Sequence, residues 1–144
     1  KYNSEMIGLN GRLDSIQAAV LLEKLSIFSE ELEMRNEIDI YYRKNLNNAQ
    51  YHPKNYQSAH ALFSITLGSE SKRDELIYRL NNANIPNVVY YKFPIHLMGG
   101  FRYLGYKKKD LPVSETLSKN IVSLPMHPYL KFKDIDFIIS NVKK

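Results

Sequence analysis

Cysteine is absent from the 144 residues, which excludes disulfides, Cys-ligated zinc and thiol nucleophiles and leaves the redox compartment open. No apolar run approaches the ~20 residues of a membrane-spanning helix, and no signal-peptide pattern is visible. The histidines show no His-x-x-x-His spacing and join no carboxylate-rich run, so no metal site is expected. Internal repeats and low-complexity linkers are missing too. What is present is an ordinary globular composition, 44% hydrophobic and 24% charged, long enough for one domain with a real core.

The net charge of +5 owes much to Lys107–Lys109 and the terminal Lys143 and Lys144. Such runs are usually solvated loops and tails. Eleven tyrosines could stack on bases, but they follow no nucleic-acid motif. Neither a nucleic-acid nor a membrane partner is expected.

The stretch Gly8 to Leu25 organises the chain. Asn10, Gly11, Arg12 and Asp14 form a polar corner, and Leu13 to Leu25 then predicts a helix. Gly11 permits a sharp turn there, and Asp14 in the first helical turn suits the helix dipole. Ala18, Leu21, Leu25, Phe28 and Leu32 recur in steps of three and four on one face. Ala19, Val20 and Leu22 are apolar as well, which predicts that more than one face is covered. An Asn and an Arg at such a helix mouth can serve an anionic ligand, or can be a plain cap followed by a surface arginine.

The helix is expected to run on to Leu46 with a bend near Ser26 to Ser29, Met34, Ile38, Tyr41 or Tyr42 and Leu46 inward, and Glu30, Glu31, Glu33, Arg35 and Glu37 in water. Residues 47–57 predict a loop, and His60 to Leu67 a strand ended by Gly68. Ser71 is a candidate N-cap for a helix through Leu80, with Leu76, Ile77 and Leu80 inward. Val88 to Lys92 predicts a second strand, Pro112 the N1 position of a helix through Asn120, and Val122 to Leu124 a short strand. Lys131 to Val142 places Phe132, Ile135, Ile138, Ile139 and Val142 at helical spacing. The sum is an α+β fold, a long N-terminal helix followed by a small sheet with helices packed on one side. The aromatic stretch between Pro94 and Pro112 is a long loop of the kind that carries function.

The block G-x-N-x-R-x-D-x-x-Q-A-A beginning at Gly8 resembles the signature that opens the last third of the DegT-type nucleotide-sugar aminotransferases. Tyr90 to His96 (YYKFPIH) resembles their HYPxPxH segment, Tyr103 to Tyr106 with Leu111 to Glu115 their YLGYKxGDxPVxE, and Leu124 to Pro128 their LPMHP. The four blocks stand in the family's order over nearly the whole chain.

The resemblance implies the small C-terminal domain of a fold-type I aminotransferase, with residues 1–48 an interface helix from the large-domain junction and 49–144 the small domain. A chain that begins at Lys1 is then expected to be a piece of a longer, cytoplasmic enzyme. Its cofactor would be pyridoxal 5'-phosphate (PLP), bound mainly upstream, where the family's Schiff-base lysine lies. No catalytic residue is expected in this piece, which should be inactive alone. Within the family, the asparagine at Asn10 reaches the phosphate of the partner's PLP across a homodimer, and Arg12 offers a bidentate fork to a carboxylate or diphosphate. Tyr90 and Tyr91 stand where His-Tyr is common, and His96 belongs near the nucleotide; these three and Arg12 are the expected substrate contacts. The implied reaction moves an amino group, with glutamate as donor, to a nucleotide-linked keto-sugar for polysaccharide synthesis. The words IQAAVLLEKL and HALFSITL resemble the subgroup acting on UDP-2-acetamido-3-keto-glucuronate. Two other readings compete: a non-catalytic regulatory or binding module of the same fold, and a free-standing basic module.

Overall fold

The computed structural model describes residues 8, 9, 11–50, 53 and 55–144. Asn10 and His52 therefore lie outside the described residues. Helix α1 spans Ser15–Ser26. Asp14 is its N-cap and not part of its first turn: the backbone there is extended, and the carboxylate accepts the Ile16 amide at 2.9 Å. A short carboxylate is worth more satisfying an orphan amide than merely opposing the dipole one turn later.

The expected bend is a break at Ile27 (φ −104°, ψ 1°), after which α2 spans Phe28–Asn45. Ser26 contributes to the break by donating its hydroxyl back to the Glu23 carbonyl. Coverage of α1 is not found among the described residues. None of its residues is buried, and Leu21, Leu22 and Leu25 are each more than half exposed.

Helix α2 joins the core through Ile38, Tyr42 and, just past its end, Leu46. Tyr42 takes the fully buried position while Tyr41 sits at its edge, donating to Asp136 at 2.7 Å. Glu31, expected in water, is buried, because Tyr129 and Lys24 both donate to its carboxylate.

Strand β1 (Phe63–Thr66) pairs antiparallel with β2 (Ile121–Leu124), Phe63 opposite Leu124 and Ile65 opposite Val122. The strand expected from His60 is shorter for two reasons. His60 has a positive φ of 47°, which breaks extension, and beyond Leu124 comes Pro125, which has no amide to continue the ladder. Single bridges extend the sheet at both edges, Ala49 beside Ile65 and Val88 beside Ser123. The strand expected over Val88 to Lys92 is reduced to that one bridge, because the chain bends at Tyr90 on its way to Pro94.

Helix α3 (Glu70–Asn82) is capped by Ser69, whose hydroxyl accepts the Lys72 amide at 3.2 Å; Ser71 lies inside the helix. The extended backbone after Gly68 puts Ser69 where an N-cap must be (φ −160°, ψ 164°). Helix α4 (Pro112–Asn120) starts at Pro112, and α5 (Phe132–Lys143) closes the chain. Leu76 and Leu80 of α3 and Ile135, Ile138 and Ile139 of α5 meet Phe63, Ile65, Val122 and Leu124 in one core. Phe132 stays half exposed and touches the Tyr41 ring edge-on.

Candidate functional site

The opposite, more polar side of the strand pair borders a cavity of about 390 Å³. Its floor is Ser64 and Ser123, cross-strand neighbours whose hydroxyls pair at 2.8 Å. One wall is the stretch Tyr90 to His96, which follows the Val88 bridge; the other is α4, with Ser114, Leu117 and Ser118. Three of the expected substrate residues, Tyr90, Tyr91 and His96, thus share one cavity. Both tyrosines are more than half exposed, while His96 is buried, its residue exposure 7%.

His96 sits in a single 3-10 turn, Ile95–Leu97, set up by Pro94. Its Nε2 lies 3.2 Å from Glu115 Oε1, and the same oxygen accepts the Lys109 amide at 2.7 Å. Burial pushes the Glu115 carboxyl up, but the Lys109 amide and the His96 imidazole outweigh it and hold the group below its ordinary value. The Tyr106 ring meets the imidazole edge-on, centroids 6.1 Å apart. Lys109 carries a positive φ of 82°, a conformation costly for a side-chain-bearing residue, and Glu115 holds its amide there.

Arg12 does not line this cavity. It is exposed ahead of α1, its guanidinium donating to its own neighbour, the Gly11 carbonyl, at 3.0 Å. His127 is exposed within the turn after β2, where its carbonyl accepts the Leu130 amide. His60 lies 3.4 Å from Asp39 at a broad open groove between α2 and residues 55–60. Arg43 completes that cluster, donating to Asp39 at 2.6 Å and to the Gln50 carbonyl at 2.7 Å. The cluster ties the loop to α2. Its Asp39–Arg43 half stands at i,i+4 spacing on α2.

Sequence reasoning also passed over Ser64 and Ser123, since only the strand register reveals that two distant serines meet. Glu115 was quoted within a motif with no role attached; a carboxylate in the first turn of a helix is usually read as a dipole partner. Among the described residues, no group of three His, Cys, Asp or Glu could hold a metal ion, and no helix is long and apolar enough to cross a membrane.

The sequence profile of the DegT/DnrJ/EryC1/StrS aminotransferase family matches residues 1–143. The chain belongs to that family. It is 34% identical to the pleiotropic regulatory protein of Geobacillus stearothermophilus over 146 residues, covering 99% of this chain and 39% of the relative. It is 31% identical over 142 residues to the UDP-2-acetamido-2-deoxy-3-oxo-D-glucuronate aminotransferase of Pseudomonas aeruginosa, covering 96% of this chain and 38% of that enzyme. In three dimensions it matches a DegT/DnrJ/EryC1/StrS aminotransferase from Brucella abortus with a TM-score of 0.86 at 42% identity, over 99% of this chain and 38% of that structure. The chain therefore spans about two fifths of the length of the curated DegT-family relatives it matches.

Proposed function

We propose that this chain is the small domain and preceding interface helix of a PLP-dependent transaminase that aminates a nucleotide-linked keto-sugar. The observation that supports the reading most is the cavity that brings Tyr90, Tyr91 and His96 together in a chain of the DegT family. PLP, when bound, supplies the electron sink through which an amino group crosses from donor to ketone. The described residues do not fit that group by themselves. No lysine, arginine or carboxylate lines the cavity, so it offers neither a Schiff-base amine, nor a phosphate counter-charge, nor a partner for a pyridine nitrogen. The cofactor belongs to the larger part of the protein.

This chain's own residues then have two tasks. Tyr90, Tyr91 and His96, with the serine floor, wall a largely apolar space free of lysine, arginine and carboxylate that suits the hydroxyl-bearing part of a substrate. Asn10 and Arg12, which precede α1 in the sequence, serve the active site of the partner in a homodimer. There Arg12 has donors to spare for a carboxylate, which makes a uronic acid the favoured sugar and UDP-2-acetamido-3-keto-glucuronate the favoured substrate. The Pseudomonas relative supports that class. We place the boundary between interface helix and small domain near residue 48, and take glutamate as the amino donor.

An absorbance spectrum of the full-length protein with PLP, before and after glutamate, tests the reading. The expected result is a cofactor band that glutamate converts to the amine form. The name of the Geobacillus relative favours a second reading, a regulatory protein on the same scaffold. A full-length protein that shows no cofactor band would overturn the transaminase reading and leave the regulatory one standing.

A further inference from the structure

We propose that Glu115 is a positioning residue that fixes the His96 proton on Nε2, leaving Nδ1 as the acceptor for a hydroxyl or N–H group of the nucleotide-sugar. The inference rests on the function proposed above and assigns a role within that site. An ionised carboxylate can only accept hydrogen bonds. Glu115 Oε1 already takes the Lys109 amide, and the imidazole nitrogen 3.2 Å away must therefore be the one bearing a proton. A neutral imidazole with its proton on Nε2 has a bare acceptor at Nδ1.

That acceptor makes no hydrogen bond with another described residue, although the side chain is only 5% exposed. An acceptor that meets no protein donor takes its hydrogen bond from water or from a ligand. The cavity that His96 lines is where such a donor can enter. The rest of the lining points to the same chemistry: the paired hydroxyls of Ser64 and Ser123 form a neutral floor, and no cation stands among the lining residues to hold a phosphate. The cavity therefore reads a hydrogen-bond donor on the substrate, not its anionic groups.

Glu115 also holds the strained Lys109 turn, so Glu115→Ala would disturb more than the imidazole. His96→Gln is the cleaner variant, because the glutamine amide can still donate to Glu115 but offers nothing where Nδ1 stood. In the full-length enzyme, with UDP-2-acetamido-3-keto-glucuronate as probe, we expect this variant to raise the sugar KM about tenfold, the loss of one hydrogen bond. Its kcat should stay within about twofold and its glutamate half-reaction should be unchanged. Glu115→Gln keeps an acceptor for Lys109 but frees the imidazole tautomer; it should also raise the sugar KM and leave the half-reaction intact. An unchanged sugar KM in His96→Gln, or a half-reaction weakened as much as the sugar step, overturns the proposal.

A second readout does not need turnover. In protein labelled with 15N-histidine, the signal lost in His96→Gln should show its proton on Nε2, and a proton on Nδ1 overturns the proposal. A wild type inert toward glutamate sinks the transaminase reading itself, and the 15N spectrum then still decides the tautomer.

Discussion

Glu31 shows how a single side chain can reverse its expected place. At the first turn of α2 it looks like one of several glutamates facing water, yet it is buried with Lys24 and Tyr129 donating to it. The hydrogen bond from Lys24 comes first and that from Tyr129 second in holding its carboxyl below the ordinary value of 4.5, against a smaller upward push from burial. A depressed carboxyl stabilises the folded state fully above its unfolded pKa, and that contribution is lost as pH falls through the lower folded value. Thermal unfolding followed against pH should therefore show a loss of Tm that begins below about pH 4.5 and is smaller in Glu31→Gln. Identical acid profiles for the two proteins would remove Glu31 from the account. The arrangement was not legible beforehand because Tyr129 lies 98 residues away in sequence.

At the scale of elements, caps and hydrophobic spacing were readable and exact starting points were less so. Pro112 began α4 where expected, because a fixed φ and a missing amide cost nothing at N1. The α5 register followed from Ile135, Ile138 and Ile139, which can all be buried only on one helical face. The start of α3 was misplaced by two residues, since Ser69 and Ser71 carry the same hydroxyl and only the backbone decides which one caps. Ser69→Ala should accordingly destabilise the protein by about 1 kcal/mol and Ser71→Ala by little, compared in urea unfolding. The reverse order would return the cap to Ser71. In the core, Leu80→Ala should cost about 2–5 kcal/mol in the same assay, because Leu80 is fully buried among α2, α5 and the sheet.

For the whole molecule the telling feature is α1, an apolar helix with no buried residue among the described ones. Leu21 and Leu25 are 56% and 68% exposed, and a face of that kind ordinarily has a partner. In the proposed homodimer it is covered by the rest of the assembly, so a full-length Leu21→Asp, Leu25→Asp variant should shift from dimer to monomer or aggregate in size-exclusion chromatography. A variant that remained an intact dimer would place the subunit contact elsewhere.

The sequence by itself determined the family, through four blocks in a fixed order, and the local elements, through capping residues and the spacing of apolar side chains. Those signals are short-range, and a linear chain displays them directly. Tertiary structure decided which groups meet: Ser64 with Ser123 across the strands, His96 with Glu115 across a strained turn, and Glu31 with Tyr129 across most of the chain. Such contacts depend on strand register and on where the polypeptide leaves the sheet. A one-residue change of register would turn Ser64 to the opposite face without altering the composition or the local pattern that sequence reasoning relies on.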